Sequence, residues 1–284
     1  MKQYRETLRL LQATYPEGEA KALARWVMEE RFGLSLADLM MDKDNDLSAL
    51  QLQDLQNITE RLLRKEPIQY VLGQTQFCGL TLHVGPGVLI PRPETGELVE
   101  WICGEWPAGE RAQRTVLDIG TGSGCIALAL AHAGFRVEAC DVSPEALAVA
   151  RMNADSLQLD VRFFLKDILQ DESGDMAGEP SFDIIVSNPP YICRDEAAEM
   201  EANVLDHEPH LALFVPDEDP LLFYRHIARF ANRQLRTGGS LFLEINRAYG
   251  EETCKMLGDN GFKDIELRKD QFGNPRMVRA VRGT

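Results

Sequence analysis

The sequence predicts an α/β fold in which a doubly wound, mainly parallel sheet of seven strands follows a small N-terminal helical bundle. Three observations predict it. Strand and helix patterns alternate from residue 115 onward, a glycine-rich turn follows the first of these strands, and the first 72 residues show only helical periodicity. Such alternation is typical of parallel sheets with helices on both faces. We therefore expect a helical domain at 1–72, a β-hairpin linker at 73–92 and an α/β domain at 93–284.

In the first domain, apolar residues recur at a helical period in 20–27 and again in 52–62. Ser48 is the expected N-cap of the second of these helices, and Pro67 is expected to end it. Three or four short helices of this kind suffice for a bundle. Because no group of residues with catalytic chemistry occurs here, we interpret the region as a docking or recognition module. A purely structural cap is the alternative.

The elements of the other two regions are predicted from their apolar patterns. Residues 73–92 alternate apolar residues with glycines, which indicates a hairpin, and the stiff turn Pro91–Thr95 then leads into a helix through Trp101. The expected strands are 115–119, 137–140, 161–165, 182–187, 240–245, 265–267 and 277–281. The expected helices are 125–133, one that Ser143 caps with Pro144 at its first position, 221–235 and 250–260. Gly238 and Gly239 are expected to close the helix 221–235.

The composition narrows the classes of function. The chain has 284 residues, 44% hydrophobic and 26% charged, which is ordinary for a globular protein and sufficient for a sizeable core. The net charge is −15, and residues 1–72 contribute little of it, with ten Lys and Arg against twelve Asp and Glu. An acidic α/β domain repels phosphate backbones, which argues against direct nucleic-acid binding and favours a basic protein partner. Solubility alone would also explain the charge.

Targeting and metal signals are absent from the sequence. No run of eighteen apolar residues occurs, so no segment is expected to span a membrane. The N-terminal residues lack the apolar centre of a signal peptide, so we expect a cytoplasmic protein. Six cysteines without a C-x-x-C pair predict free thiols in a reducing compartment. Five scattered histidines lack ligand spacing, so no metal is expected.

A glycine-rich loop, D-I-G-T-G-S-G at 118–124, follows the first strand of the predicted sheet and opens a helix. Its sixth position, Cys125, departs from the dinucleotide fingerprint, and the lysine of a phosphate-binding loop is absent. The loop suits a ligand that carries an amino acid, because Asp118 can meet an ammonium while helix-end amides meet a carboxylate. The methionyl part of S-adenosylmethionine is such a group. The expected contacts are Asp118, Gly120, Thr121, Gly122, Ser123 and Gly124.

Two further acidic residues follow the second and third strands. Asp141 can accept hydrogen bonds from ribose hydroxyls, and Asp167 can accept one from an adenine amino group. Ile168 can pack on the adenine ring. The alternative for Asp141 is a helix cap, a role that belongs more naturally to Ser143.

The motif N-P-P-Y at 188–191 follows the fourth strand. The prolines fix the backbone and provide no N–H, so the Asn188 side-chain oxygen and the Pro189 carbonyl can converge on one planar NH₂ group. Tyr191 offers a flat face to that group, and Pro190 completes the substrate corner. Two acceptors orient a poorly nucleophilic nitrogen toward a methyl donor, so no strong base is needed. We expect Asn188, Pro189 and Tyr191 to be catalytic, with Asn188 also contacting the cofactor. The alternative is a turn that merely ends a strand.

These motifs together resemble the release-factor glutamine methyltransferase family (PrmC/HemK type). The resemblance covers nearly the whole chain, including V-L-I-P-R-P-E-T at 88–95, the 118–124 loop, the 188–191 motif and residues 208–213. It implies a seven-stranded methyltransferase sheet. It also implies methyl transfer from S-adenosylmethionine, with S-adenosylhomocysteine as product, to N5 of the glutamine in the Gly-Gly-Gln motif of class-I peptide chain release factors. The resemblance further implies that the helical domain docks on that partner.

The sequence departs from the family pattern at three positions. Gly96 stands where glutamate is usual, Asn246 where glycine is favoured, and Ile168 where an aromatic residue is common. Arg92 and Glu94 are expected either to line the cleft between the two domains or to form a purely structural turn.

Three other functions are weighed against the family assignment. An adenine-N6 methyltransferase of nucleic acid would use the same N-P-P-Y chemistry, but it requires a basic channel. A methyltransferase scaffold retained only for binding is the second alternative, which the intact motifs oppose. A nicotinamide-dependent dehydrogenase is the third, and the loop spacing argues against it.

Overall fold

The structure, a computed structural model, describes residues 1–170 and 182–283. These residues form two compact units. The first, the helical unit, comprises Met1–Gln74 and Glu201–His207, and the second, the α/β unit, comprises the rest of the described chain.

The helices of the described residues are distributed over both units. The α-helices are α1 Lys2–Leu11, α2 Glu17–Phe32, α3 Leu36–Met40, α4 Ala49–Leu63, α5 Ile68–Leu72, α6 Pro93–Glu105, α7 Ala108–Arg111, α8 Cys125–His132, α9 Pro144–Leu157, α10 Ala202–His207, α11 His210–Leu213, α12 Leu222–Gln234 and α13 Gly250–Asp259. Short 3₁₀ turns occur at Lys43–Asp46, Ile168–Gln170, Arg194–Glu199 and Arg247–Tyr249.

The strands of the described residues all lie in the α/β unit, apart from the first residue of β1. They are β1 Gln74–Phe77, β2 Leu80–His83, β3 Thr115–Ile119, β4 Arg136–Asp141, β5 Val161–Leu165, β6 Phe182–Ser187, β7 Ile192–Cys193, β8 Phe214–Val215, β9 Leu235–Glu244, β10 Phe262–Lys269 and β11 Pro275–Arg282.

The helical unit packs around an apolar core that includes Leu11, Val27 and Leu62, each fully buried. Ser48 caps α4 as predicted, because its side chain accepts a hydrogen bond from the Gln51 backbone N–H. The expectation that Pro67 ends this helix is wrong: α4 ends at Leu63, and Pro67 precedes α5. The unit holds more helices than the three or four expected, because α3 and α5 are too short to show a period.

The central sheet has seven strands in the order β10-β11-β9-β6-β3-β4-β5. Strand β3 pairs in parallel with β4 and β6, and β6 pairs in parallel with β9, whereas β11 is antiparallel to both β9 and β10. The predicted doubly wound, mainly parallel sheet is therefore confirmed. Its order places the carboxyl ends of β3, β4 and β6 at one edge, where ligands bind in open α/β sheets.

Helices cover both faces of this sheet. One core joins α6 and α8 to the side chains of Val116, Ile184 and Phe242, and the other joins α12 and α13 to Leu117 and Ile185. Neighbouring strand residues thus point to opposite faces, as the pleat requires. Each large apolar side chain buried here contributes about 1.5–3 kcal/mol to the free energy of unfolding.

The strand bounds 115–119, 161–165 and 182–187 are confirmed, and Ser143 caps α9 as expected. The closing strands β10 and β11 are longer than predicted, because β10 is an edge strand whose exposed, charged residues give no apolar signal. The predicted hairpin is also confirmed: β1 and β2 form a separate two-stranded sheet within the expected 73–92. The short elements α7, α10, α11, β7 and β8 were not expected.

The role expected for Gly238 and Gly239 is wrong. The helix α12 ends at Gln234 and passes directly into β9, so both glycines lie inside a strand, at an irregularity in its pairing with β6. A Cβ atom on Gly239 would lie 2.9 Å from the Arg236 carbonyl oxygen and 3.0 Å from that of Asp183. Glycine is therefore required here by close backbone approach and not by a helix end.

Candidate active site

A cavity of about 290 Å³ opens in the α/β unit at the carboxyl ends of β3, β4, β5 and β6. Most of the residues predicted for the site line it: Gly120, Thr121, Gly122, Ser123, Asp141, Asp167, Ile168, Asn188, Pro189 and Pro190. Three others, Asp118, Gly124 and Tyr191, do not line it. The cofactor motif and the N-P-P-Y motif therefore face one shared space.

The glycine loop is folded back on the end of β4. The backbone N–H groups of Gly120 and Thr121 both donate to the Cys140 carbonyl, at 2.9 and 3.0 Å. Gly120 and Gly122 have φ values of 72° and 56°, which favour glycine, and a Cβ atom on either would meet only open space. These two glycines leave room for a ligand to approach the backbone.

Gly124 has a different task. Its φ is 85°, and a Cβ atom there would lie 3.0 Å from Leu128 Cδ1 and 3.2 Å from Ala150 Cβ. The third glycine therefore lets α8 and α9 pack closely.

Asp118 lies fully buried at the end of β3, where one carboxylate oxygen accepts a hydrogen bond of 2.7 Å from the Thr121 hydroxyl. Its other oxygen has no partner among the described residues. Burial raises the pKa of Asp118 to about 7, although the Thr121 hydrogen bond opposes the rise. Asp118 does not line the cavity, so its contact with an ammonium stays a prediction.

Asp141 lines the cavity at the end of β4 and holds the glycine loop. Its two oxygens accept hydrogen bonds from the backbone N–H groups of Gly122, at 2.8 Å, and Ser143, at 2.9 Å. Ser143, and not Asp141, caps α9, because its hydroxyl accepts from the Ala146 N–H at 3.1 Å. Each Asp141 oxygen keeps a second lone pair, so the carboxylate can still accept ribose hydroxyls. Burial raises the pKa of Asp141.

Asp167 and Ile168 form the wall after β5. Asp167 Oδ1 accepts a hydrogen bond of 2.9 Å from the Leu169 N–H, which fixes the short 3₁₀ turn that begins at Ile168. Ile168 is largely buried and presents an apolar surface to the cavity. An aliphatic side chain therefore takes the place of the aromatic residue that is common at this position.

The Asn188 side chain belongs to a hydrogen-bond network with Thr95 and Glu244, two residues for which the sequence predicts no role. Its Nδ2 donates to Thr95 Oγ1 at 3.1 Å, and the Thr95 hydroxyl in turn donates to Glu244 Oε2 at 2.7 Å. The Tyr191 hydroxyl donates to the other oxygen, Glu244 Oε1, at 3.2 Å. Burial raises the pKa of Glu244, and burial together with the Glu244 charge raises that of Tyr191. Both ends of the N-P-P-Y motif thus meet one buried carboxylate.

Arg92 lines the cavity of the α/β unit, whereas Glu94 does not line it. The Arg92 guanidinium donates to Glu208 Oε1 at 2.5 Å, and Glu208 Oε2 accepts from the Ile90 N–H at 3.1 Å. Glu208 is almost fully buried. Its importance could have been suspected from the family motif at 208–213, but its partner is more than a hundred residues away in the sequence.

The side chain of Asn246, which stands where the family pattern favours glycine, forms hydrogen bonds next to the 188–191 motif. Its Nδ2 donates to the Tyr191 carbonyl at 3.0 Å and to Glu196 Oε2 at 2.9 Å, while its Oδ1 accepts from the Ala248 N–H at 2.9 Å. A glycine could make none of these side-chain bonds.

No helix in the described ranges is long and apolar enough to cross a membrane. Residues 1–170 and 182–283 also contain no cluster of three or more His, Cys, Asp or Glu side chains suited to a metal ion.

Comparison with solved structures shows that the central sheet and its flanking helices have the fold seen in methyltransferases. A methyltransferase from Pyrococcus furiosus superposes with a TM-score of 0.52 at 20% identity, covering 72% of this chain and 90% of that one. The T. thermophilus 16S rRNA N2 G1207 methyltransferase also gives 0.52 at 20% identity, covering 74% of this chain and 49% of that one. At such identities the likeness shows the fold. This fold, together with a match of residues 107–207 to the Methyltransferase small domain, defines an S-adenosylmethionine-dependent methyltransferase.

Sequence relatives specify the family. Residues 4–73 match the PrmC N-terminal domain and residues 107–207 the Methyltransferase small domain. A release factor glutamine methyltransferase of Bacteroides thetaiotaomicron is 49% identical over 96% of both chains, and one of Flavobacterium psychrophilum is 44% identical over 98% of both. The chain belongs to the release factor glutamine methyltransferase family.

Proposed function

We propose that this enzyme transfers a methyl group from S-adenosylmethionine to N5 of the glutamine in the Gly-Gly-Gln motif of class-I peptide chain release factors. One observation carries the proposal beyond family membership: the glycine loop and the Asn188–Pro190 corner line the same cavity. A methyl donor held by the first would lie beside a planar amide held by the second.

The cofactor side is supplied by backbone and carboxylates. Gly120–Ser123 would hold the methionyl part, Asp141 the ribose hydroxyls, and Asp167 with Ile168 the adenine. The unpaired oxygen of Asp118 would take the ammonium. When bound, S-adenosylmethionine supplies an electrophilic methyl group on a sulfonium.

The target side is supplied by two acceptors. Because the Nδ2 of Asn188 is engaged by Thr95, its Oδ1 is left to accept from the glutamine NH₂. The Pro189 carbonyl accepts the second N–H, since neither proline competes with a donor of its own. Tyr191 would pack against the amide plane. Both acceptors become stronger partners as positive charge develops on the nitrogen.

The balance of the reaction needs no base before transfer. A nitrogen–carbon bond forms as the carbon–sulfur bond of the sulfonium breaks, which leaves S-adenosylhomocysteine. The methylated nitrogen is then acidic, and its extra proton leaves to water. No residue has to remove a proton in the rate-determining step.

The partner is proposed from charge and domain content. Most of the net charge of −15 lies outside residues 1–72, which suits a partner with basic surface. The helical unit, which carries the PrmC N-terminal domain, is proposed to dock on that partner. We place the protein in the cytoplasm, where release factors act and where six free cysteines stay reduced.

The test is methyl transfer from isotopically labelled cofactor, with parallel reactions on a class-I release factor, duplex DNA and ribosomal RNA. Mass spectrometry of the Gly-Gly-Gln peptide should show a single added methyl group on the glutamine. A release factor with that glutamine changed to glutamate serves as the matched control. Label on nucleic acid alone would favour the adenine-N6 activity, and cofactor binding without label on any substrate would favour a binding protein.

A further inference from the structure

A buried carboxylate joins the two ends of the N-P-P-Y motif without touching the cavity. Glu244, at the end of β9, is 1% exposed and does not line the cavity. It accepts from Tyr191 directly and reaches Asn188 through the Thr95 hydroxyl. Asn188 and Tyr191 are proposed to contact the target directly, whereas Glu244 takes no direct part in methyl transfer.

The hydrogen bonds that link these residues all run in one direction: Asn188 donates to Thr95, and Thr95 donates to Glu244. The Thr95 and Tyr191 hydroxyls donate to the two oxygens of Glu244, one to each, so both oxygens act as acceptors and the single proton of the Thr95 hydroxyl is given to Glu244. The Thr95 oxygen can then only accept a hydrogen bond from Asn188, so the Asn188 side chain must turn its NH₂ group toward Thr95. The oxygen and nitrogen of an asparagine amide are nearly equal in size, and only their partners decide which one faces a ligand.

The orientation of the Asn188 amide determines how the reacting nitrogen of the target is held. A reversed Asn188 would present NH₂ to the NH₂ of the target, and one of the two acceptors on the nitrogen would be lost. We infer that Glu244 and Thr95 are positioning residues that fix the Asn188 amide with its oxygen toward the target. This inference rests on the proposed function, because it concerns how the same corner holds its substrate.

The cost of burying this carboxylate supports a positioning role. No salt bridge to Glu244 occurs within the described ranges, and the nearby Arg276 is bonded to Asp270. An ionised group in such a place is expensive, and an amide or apolar side chain of similar size would fill the space at lower cost. An amide in place of Glu244 could not fix the direction of the hydrogen bonds to Thr95 and Asn188, because an amide both donates and accepts.

The first test compares substitutions at Thr95. Thr95→Val keeps the shape but removes the hydroxyl, and kcat for release-factor methylation should fall at least about tenfold, with the cofactor Kd changed less than about threefold. Thr95→Ser keeps the hydroxyl and should restore kcat to within about threefold of wild type. Thr253→Val is the matched control, because Thr253 is also a buried threonine of this unit and its hydroxyl donates to the Tyr249 carbonyl.

The second test asks whether Thr95 acts through Asn188. In an Asn188→Ala background, Thr95→Val should cause no further loss of kcat, because the amide that it orients is gone. Glu244→Gln, which preserves size but removes the obligate acceptor, should also lower kcat and leave cofactor affinity unchanged.

The outcomes separate this inference from the proposed function. Wild-type kcat in Thr95→Val, or additive losses in the double variant, would overturn the positioning role while leaving the activity intact. If Thr95→Val fails to fold, Glu244→Gln decides, and normal kcat in that variant overturns the inference. Absence of methyl transfer by the wild-type enzyme would instead overturn the proposed function.

Discussion

The two sides of the cavity are built in different ways. On the side proposed to bind the cofactor, backbone groups make most of the hydrogen bonds, and the contacts are local: Gly122 and Asp141 are 19 residues apart, and Asp141 and Ser143 are two apart. On the side proposed to bind the target, side chains from distant segments meet: Asn188 and Thr95 are 93 residues apart, and Thr95 and Glu244 are 149 apart. The first side can be conveyed by a short motif, whereas the second exists only once the sheet has formed.

The two sides of the cavity should also respond differently to substitution. A loop whose shape is set by glycine dihedrals and backbone hydrogen bonds tolerates many side chains around it. A directional network of side chains fails as a unit when one member is lost. Substitutions on the two sides should therefore separate affinity for the cofactor from the rate of transfer.

The largest effect is expected for Asn188→Ala. Loss of the side-chain acceptor should reduce kcat by about 10²–10³-fold, the range observed when one preorganised donor or acceptor is removed from an active site. Cofactor Kd, measured by titration calorimetry, should change little, since the glycine loop and Asp141 are untouched. Normal turnover in this variant would remove Asn188 from the mechanism and the contrast between the two sides with it.

The reverse pattern is expected for Asp141→Ala. This change removes an acceptor for the ribose and frees the Gly122 N–H, so the cofactor Kd should rise by about 10–100-fold, equivalent to the loss of one or two charge-assisted hydrogen bonds. At saturating cofactor, kcat should recover to near the wild-type value. Glu145→Ala, which removes another carboxylate lining the cavity, is the control. Equal losses in both variants would argue against a specific ribose contact.

What the sequence could predict follows the same division. The strand before the glycine loop, the loop itself and Asp141 are contiguous, so dihedral preference and the apolar pattern suffice to place them. The pairing of β3 with β6 follows from the topology, and it brings the 188–191 corner beside the loop. The strands and the position of β6 beside β3 are confirmed, whereas the roles of the residues at this edge stay predictions.

The parts that were missed depend on long-range contacts. Thr95 stands inside a helix start, and Glu244 stands at the end of a buried strand, so neither position has a local pattern that reveals its partner. Gly239 was assigned to a helix end because a glycine pair commonly stops a helix, yet its real constraint is the Asp183 carbonyl of a neighbouring strand. Tertiary proximity of this kind is invisible in a single sequence.

A smaller effect should distinguish two glycines within the loop. Gly124→Ala forces a side chain into a left-handed φ and against Leu128 and Ala150, so the free energy of unfolding should fall by about 1–3 kcal/mol. Gly122→Ala carries similar backbone strain but meets open space, so it should destabilise less and instead weaken cofactor binding. Urea denaturation and calorimetry on both variants give the comparison. Equal destabilisation would show that packing around Gly124 is not the constraint.

A pH dependence of stability is also expected from Asp118. In the unfolded chain its carboxyl has an ordinary pKa near 4, whereas burial raises the native pKa to about 7. Between these values the native state holds a proton that the unfolded state has released. Stability contributed by this group is therefore highest at low pH and is lost as the pH rises toward 7, with a slope of at most about 1.4 kcal/mol per pH unit.

Asp118→Asn, a neutral isostere, should remove that slope from denaturation curves recorded between pH 5 and pH 8, and it should be the more stable form at pH 8. Asp183→Asn is the control, because hydrogen bonds from Thr115 and Arg236 lower the pKa of Asp183 despite its partial burial. Its stabilisation is complete above pH 4 and is lost only on further acidification, so it contributes no slope in this window. A cationic ligand next to Asp118 would lower its pKa, so cofactor binding near pH 7 should release a proton in the wild type and none in Asp118→Asn. Equal proton release by both proteins would place the ammonium elsewhere and leave the buried carboxylate as a support for Thr121 alone.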